Sequence, residues 1–139
     1  MNSPVDLLGI YLHLARAAAQ RKRPLVRDRL LVLAAAVASD LKLAAVAACC
    51  RAKILEQNPG HLVGRWETIA EAAEHDDFTA LRRQLAKKYS PERAEELMQS
   101  LRIEWRTERA AYYSDEEYAA ALLGFTANDL LQKYGSGGV

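Results

Sequence analysis

A nearly unbroken apolar stretch, residues 30–50, limits what this chain can fold into. Only Ser39, Asp40 and Lys42 are polar within it. The two charges fall in the middle of the stretch, where each costs about 2.5–3.5 kcal/mol to insert into a bilayer, and alanine contributes little in return. We therefore predict two buried helices and no membrane span, with a break around Ser39–Leu43 and Asp40 as the N-cap of the second helix.

Helix-start and helix-stop signals recur along the rest of the chain. A serine or threonine followed by a proline or an acidic residue is typical of a helix N-terminus. The starts of this kind are Ser3-Pro4, Ser90-Pro91-Glu92, Ser114-x-x-Glu117 and Thr126-x-x-Asp129. Asn58-Pro59-Gly60 and Gly124 are stop signals. No segment of useful length alternates apolar and polar residues as a strand does.

The predicted fold is an all-α, single-domain bundle of about six to eight helices. We expect the domain to span residues 1–134 and a flexible tail to span 135–139, where glycine and serine dominate. The first three helices are alanine-rich, and small side chains allow helix backbones to approach closely. These three helices, which should form the core, are expected at 4–20, 25–38 and 44–57.

Shorter amphipathic helices from Trp66 onward are expected to wrap this core. Phe78, Leu81 and Leu85 recur at helical spacing on one face, as do the apolar residues that follow Pro91. The expected outer helices lie at 67–74, 77–89, 91–101, 102–113, 118–123 and 126–134.

Charge gives little indication of a partner. The formal net charge is +1, with 50% hydrophobic and 27% charged residues, so the composition is globular and exerts no overall pull toward nucleic acid or membrane. The halves differ, however. Ten Lys/Arg face four Asp/Glu in residues 1–65, and nine face fourteen in residues 66–139. This asymmetry fits internal docking or head-to-tail self-association, or it is an accident of solvated helix faces.

The two cysteines, Cys49 and Cys50, are adjacent. Disulfide geometry needs a larger separation than one trans peptide provides, so no structural bridge is expected between them. The N-terminal residues show no basic start before an apolar run, so we expect no signal peptide. These observations predict a location in the reducing cytoplasm.

No motif in the sequence predicts a catalytic residue, a metal site or a cofactor. Glycine-rich phosphate loops and zinc-binding helix motifs are absent. Glu71 and His75 share a helix face, but one such pair lacks the ligands that a metal needs. Cys49 lies in an apolar helix, where burial would raise its pKa and make it a poor nucleophile. His13 is similarly interpreted as a hydrogen-bonded core residue. An enzymatic role is left open, and the sequence favours a non-enzymatic one.

The connection Asn58–Trp66 holds the predicted binding residues, His61, Arg65 and Trp66. Glycine-punctuated loops that carry histidine, arginine and tryptophan are typical of binding sites. Arg65 could hold a carboxylate or phosphate through two hydrogen bonds. The alternative is structural: Trp66 fills the core and Arg65 pairs with Glu67 or Glu71.

Two features raise the possibility of nucleic-acid binding. Basic residues cluster on both sides of the predicted first turn and again after Leu81, and these clusters are Arg16, Arg21, Lys22, Arg23, Arg27, Arg29, Arg82, Arg83, Lys87 and Lys88. Ala120, Gly124 and Leu130 resemble the core spacing of a helix-turn-helix. The second helix of that pair, however, carries Asp129 and only one cation, Lys133, so a packing hairpin is the preferred interpretation.

The leading functional hypothesis is a non-enzymatic protein–protein interaction module, which could self-associate. Aromatic residues and methionine are enriched at interfaces, and the residues that could form such a surface are Leu97, Met98, Trp105, Tyr112, Tyr113 and Tyr118. In a domain of this size they could equally form its own core. A nucleic-acid-binding or regulatory protein is the alternative. A small-molecule enzyme comes third, and it would require a cavity that holds polar groups with perturbed ionisation around His61 and Arg65.

Three segments of the chain are similar to a small all-helical bacterial family of unknown function. They are Pro24–Leu33, Asn58–Trp66 and Lys87–Glu96. The resemblance implies a single helical domain of bacterial origin, and it carries no activity or site residue.

Overall fold

The computed structural model describes residues 3–135, and these form eight α-helices, two short 3-10 turns and no strand. The helices are α1 (Pro4–Gln20), α2 (Pro24–Asp40), α3 (Ala44–Gln57), α4 (Ile69–Ala72), α5 (Asp76–Lys88), α6 (Pro91–Ser100), α7 (Asp115–Leu122) and α8 (Ala127–Tyr134). The prediction of an all-helical bundle is confirmed. Apart from Gly135, the predicted tail lies outside the described residues.

The centre of the bundle is α2, which contacts α1, α3, α4 and α5. Because neighbours cover it on several sides, every residue from Leu30 to Ala38 is buried. A helix that is apolar all round is expected in such a position. Within the described residues, no helix combines the length and the apolar content that crossing a bilayer requires. Most of the apolar stretch of residues 30–50 is buried in the core.

The remaining helices pack around the first three. α6 and α7 contact α1, and α8 contacts α3. Phe78 and Leu85 of α5 are buried, as are Ala94 and Met98 of α6, which confirms the predicted amphipathic faces. At the α1–α7 contact the Tyr118 ring packs directly on Gly9, where a methyl group would overlap it.

Most predicted caps are present. Ser3 and Asp6 form a capping box, and the Ser90, Ser114 and Thr126 hydroxyls each accept a backbone N–H three residues ahead. The prediction for Asp40 is wrong. It is the last residue of α2 and pairs with Arg82, with 2.6 Å between Oδ2 and Nη2, and α3 begins without a side-chain cap.

Three of the tight turns between helices depend on a basic residue in the left-handed region. Lys22, Lys42 and Arg102 have φ values of 58°, 64° and 58°. In each turn, the next residue's N–H reaches back to the carbonyl five positions earlier, as Leu43 does to Ala38 at 2.9 Å. This is the Schellman arrangement that usually places glycine at the left-handed position. Gly124, with φ 90°, is the one glycine used in this way among the described residues.

The prediction of a helix over 102–113 is wrong. The left-handed Arg102 ends α6, and the Glu104 carboxylate then accepts N–H groups from Trp105 and Arg106 at 3.0 and 3.1 Å. These bonds hold the backbone in a turn, while Trp105 is buried in the core. Between α6 and α7, the described structure contains one short helical segment, the 3-10 turn Glu108–Ala111.

Replacing Lys42 with glycine tests the strain in these turns. A left-handed conformation costs an L-residue about 1–2 kcal/mol and costs glycine almost nothing. Lys42→Gly should therefore raise the free energy of unfolding by about 1 kcal/mol, measured by urea denaturation. Arg83→Gly, at an exposed position inside α5, should lower it by about 1 kcal/mol. A loss of stability in Lys42→Gly would contradict the assigned turn.

Candidate functional site

A cavity of about 710 Å³ lies between the N-terminal part of α2 and the C-terminal half of α5. Leu25, Leu81 and Leu85 supply its apolar wall, and the turn that holds Asn58 and His61 lines it as well. We call it the Asp28 cavity, after the one charged residue that is buried among the described part of the chain. Its volume is within the usual range for small-molecule sites.

Asp28 is 3% exposed, and its carboxylate lacks adequate partners. Its Oδ2 accepts no hydrogen bond from any described residue. Its Oδ1 lies 3.5 Å from Nη1 of Arg27, at the limit of a hydrogen bond, and the same Nη1 lies 3.4 Å from the carbonyl of Lys53. Burial raises the pKa of Asp28 above its ordinary value, and Arg27 and His61 oppose that shift. Buried polar groups are nearly always satisfied, so this carboxylate is an exception that requires an explanation.

His61 is held in a defined orientation beside this carboxylate. It is the N-cap of the 3-10 turn Leu62–Arg65, and its Nδ1 accepts the Val63 N–H at 3.1 Å. Burial lowers the pKa of His61, with Asp28 opposing the shift. Since Nδ1 is an acceptor, a neutral ring carries its proton on Nε2 and can donate it to a ligand.

The rim of the cavity is basic. Arg29 comes from α2, and Lys87 and Lys88 come from the end of α5. All three side chains are exposed, and none forms an ion pair with a residue between 3 and 135. Gln84 and Asn58 add amide groups to the lining. The cavity thus combines a buried acceptor, a neutral histidine and an unpaired basic rim.

Of the three predicted binding residues, only His61 lines this cavity. Arg65 is exposed and pairs with Asp77, with 2.8 Å between Nη1 and Oδ2, and not with Glu67 or Glu71. Trp66 is buried, and its ring stacks on His75 with 5.3 Å between centroids. The three side chains of this loop therefore lie in the cavity, at the surface and in the core, respectively.

Asp28 was missed by the sequence analysis, although a signal was available. Asp28 lies between Arg27 and Arg29, and this local sequence is typical of a basic, solvent-exposed helix start. At helical spacing, however, it shares a face with Leu31 and Val32, both of which are buried. A carboxylate on the apolar face of a core helix is the pattern that identifies it.

The other reactive side chains are placed as core or surface contacts. Burial raises the pKa of Cys49 to about 11, as predicted, and also raises that of Cys50. His13 is partly buried, and its Nε2 lies 3.0 Å from Oε1 of Glu108. Within residues 3–135, no three potential metal ligands come together.

The predicted basic clusters separate into distinct sites. Arg29, Lys87 and Lys88 border the Asp28 cavity, and Arg82 pairs with Asp40. A second depression of about 600 Å³, the Lys53 cleft, has four basic lining residues and one acidic one. These are Lys22, Arg23, Arg27, Lys53 and Glu56.

The helix pair α7–α8 has the predicted hairpin geometry. Ala120 and Leu130 are buried on either side of the Gly124 turn. The ammonium of Lys133, the sole cation of α8, lies 5.8 Å from the Phe125 ring centroid and 5.4 Å from that of Tyr134. The pair packs on the core, with α8 against α3.

Comparison with models of known protein families, with curated proteins and with solved structures finds no significant match. The likeness to a bacterial helical family stays a prediction. The candidate site therefore depends on the geometry of this chain alone.

Replacing Asp28 with asparagine tests whether its carboxylate is unsatisfied. Removing a buried, poorly paired charge should raise the free energy of unfolding at neutral pH by about 1–2 kcal/mol. Because burial raises the pKa of Asp28, the folded protein keeps this proton to higher pH than the unfolded chain does, and stability falls as pH rises through the folded-state pKa. The advantage of Asp28→Asn should therefore widen between about pH 4 and pH 7, measured by urea denaturation.

Asp76→Asn is the matched control. Asp76 is exposed in the first turn of α5, where its negative charge interacts favourably with the helix dipole. Loss of this charge should reduce the free energy of unfolding by about 0.3–1 kcal/mol. A destabilised Asp28→Asn protein would mean that the carboxylate has partners in the folded state.

Proposed function

We propose that this protein is a non-enzymatic binding protein that holds a small polar molecule in the Asp28 cavity. The single observation that carries the proposal is the Oδ2 atom of Asp28, which is buried and has no hydrogen-bond partner in the described structure. A ligand with an N–H or O–H group would supply the missing donor.

The energetics support a ligand at this position. An unsatisfied buried polar group costs about 1–3 kcal/mol, and a charged one costs more. The chain has basic side chains at the cavity rim, yet none of them reaches this carboxylate within hydrogen-bonding distance. Perturbed ionisable groups in a cavity are characteristic of functional sites. Asp28 and His61 are both perturbed, and both line the same cavity.

Binding is favoured over catalysis by the kinds of group that line the cavity. Carboxylate, imidazole, amide and basic side chains can all hold a polar ligand, and no serine, threonine, tyrosine or cysteine is among the lining residues. The thiols lie elsewhere, in the buried part of α3. The proposal therefore assigns hydrogen-bonding roles to Asp28 and His61, and it assigns no bond-making step.

A protein partner, or a second copy of this chain, is a weaker proposal. Met98, Trp105 and Tyr118 are buried in the core, so they are not available as a surface. Tyr113 is 97% exposed, and it is the observation that still favours an interaction role. Leu25, also largely exposed, is at the edge of the Asp28 cavity.

Nucleic acid is a further alternative, and it is not the favoured one. The Lys53 cleft offers four cations, but the N-terminal turn of α7 carries Asp115, Glu116 and Glu117 and α8 carries a single basic residue. Phosphates would be repelled from the helix pair that resembles a DNA reader. We also propose that the protein is bacterial and cytoplasmic. The adjacent buried cysteines would stay reduced in that compartment.

Nuclear magnetic resonance can test the proposal with probes that differ in their donors. Ribose, ethanolamine and adenosine are titrated into the ¹⁵N-labelled full chain, and we expect the amide signals of His61 and Gln84 to shift with at least one probe. Asp28→Ala removes the acceptor without filling the space, so it should weaken that probe's binding about tenfold. Asp76→Asn should bind as the unmodified protein does.

Two results would overturn the proposal. In one, no probe shifts the signals of residues that line the cavity. In the other, Asp28→Ala binds the same probe with unchanged affinity, and the dispersed amide signals of this variant show that it is folded.

A further inference from the structure

The basic rim of the Asp28 cavity has a charge that none of the described residues neutralises. Arg29, Lys87 and Lys88 border the cavity without a carboxylate partner in residues 3–135. With Asp28 ionised and His61 neutral, three cations against one carboxylate leave a net charge of +2. Like charges gathered at a partly enclosed surface repel one another. The binding of an anion there relieves this repulsion and lowers the electrostatic free energy.

We infer that the ligand of the Asp28 cavity is a phosphate monoester of a polyol, such as a sugar phosphate or a nucleotide. Its phosphate contacts Arg29, Lys87 and Lys88, and one of its hydroxyl groups donates to Asp28. This inference rests on the proposed function and specifies the chemical class of the ligand.

The charge and shape of the phosphate group favour it over a carboxylate. A phosphate monoester carries a charge of about −1.5 to −2 at neutral pH and has three strong acceptor oxygens. The cavity, with Asp28 ionised, offers a net charge of the same size with opposite sign, and its three cations come from two helices. Arginine adds a planar fork that can hold two phosphate oxygens at once. A carboxylate has half the charge and one oxygen fewer.

The other polar and apolar lining residues of the cavity favour a polyol as the remainder of the ligand. Asp28 accepts a hydrogen bond, the Nε2 of a neutral His61 donates one, and the side chains of Asn58 and Gln84 can do both. Leu81 and Leu85 present an apolar wall against which a sugar or a base can pack. The volume of about 710 Å³ accommodates a ligand of that size.

The Lys53 cleft provides an internal comparison. It too is basic, with Lys22, Arg23, Arg27 and Lys53 in its lining. It contains no buried acceptor without a partner, because Asp28 lines the other cavity. It would attract phosphate without distinguishing a sugar phosphate from inorganic phosphate. Discrimination between those two ions therefore identifies which of the sites is occupied.

Isothermal titration calorimetry with four related probes tests the inference. Ribose, ribose 5-phosphate, ribonate and inorganic phosphate are each titrated into the full chain. Ribose 5-phosphate should bind at least about tenfold more tightly than each of the other three, because it alone combines a phosphate for the rim with hydroxyl groups for Asp28. Its affinity should also fall as salt is added, since its phosphate contacts exposed cations.

Charge variants locate the two ends of the ligand. The double variant Lys87→Gln/Lys88→Gln should weaken ribose 5-phosphate about tenfold and leave ribose unchanged. Asp28→Ala, which removes the acceptor, should weaken both. The matched control, Lys22→Gln/Lys53→Gln, removes two cations from the Lys53 cleft and should change neither affinity. All of the lysines replaced are at or near the surface, and circular dichroism verifies that each variant is folded.

The contradicting results separate the inference from the proposed function. Equal affinity for ribose and ribose 5-phosphate, with loss of both in Asp28→Ala, would overturn the phosphate assignment and leave the cavity as a binding site. Ribonate binding as tightly as ribose 5-phosphate would overturn it in favour of a carboxylate. Loss of binding in Lys22→Gln/Lys53→Gln alone would move the phosphate to the Lys53 cleft. Failure of every probe would count against both proposals.

Discussion

The packing of other helices around α2 is the constraint on which the rest of this structure depends. Small side chains along α1, α2 and α3 allow their backbones to lie close together, and α4 and α5 cover further parts of α2. Any polar side chain on the covered faces loses contact with water. Asp28 lies where α2 passes from its exposed first turn into the bundle, so its burial follows directly from the arrangement of the helices.

The energetic character of the candidate site follows from that burial. Domains of this size are stable by only about 5–15 kcal/mol, so an uncompensated buried carboxylate consumes a substantial part of that stability. The peripheral pairs, such as Arg109 with Asp115 at 2.6 Å, are partly exposed and contribute about 0–1 kcal/mol each. Within the described residues, Asp28 is the one charged side chain that is buried. A ligand that satisfies it would stabilise the fold and occupy the cavity at the same time.

The fold could be predicted from the sequence wherever local signals and packing agree. Ser3, Ser90 and Thr126 cap the helices that they were expected to cap, and the alanine-rich segments form the core. Residues 102–113 could not be predicted in this way, since their composition is compatible with a helix. The decisive features are the left-handed Arg102 and the burial of Trp105, and the burial of Trp105 depends on tertiary contacts.

The candidate site was only partly accessible to sequence reasoning for a related reason. His61 could be proposed from its loop, because loop histidines often bind ligands, but neighbouring side chains in a loop point in different directions. Arg65 and Trp66 accordingly lie away from the cavity. The cations of the rim come from α2 and α5, more than fifty positions apart in the chain. Only the packing of those helices reveals that they surround one carboxylate.

The ionisation of Asp28 itself shows whether its buried carboxylate is unsatisfied. The ¹³C signal of its side-chain carboxyl carbon, followed by nuclear magnetic resonance as pH is varied, reports the protonation of that group alone. An unsatisfied carboxylate in the core should titrate above the ordinary aspartate pKa of about 3.9. A midpoint at or below that value would show that the carboxylate is solvated or well paired, and would contradict the site described for this protein.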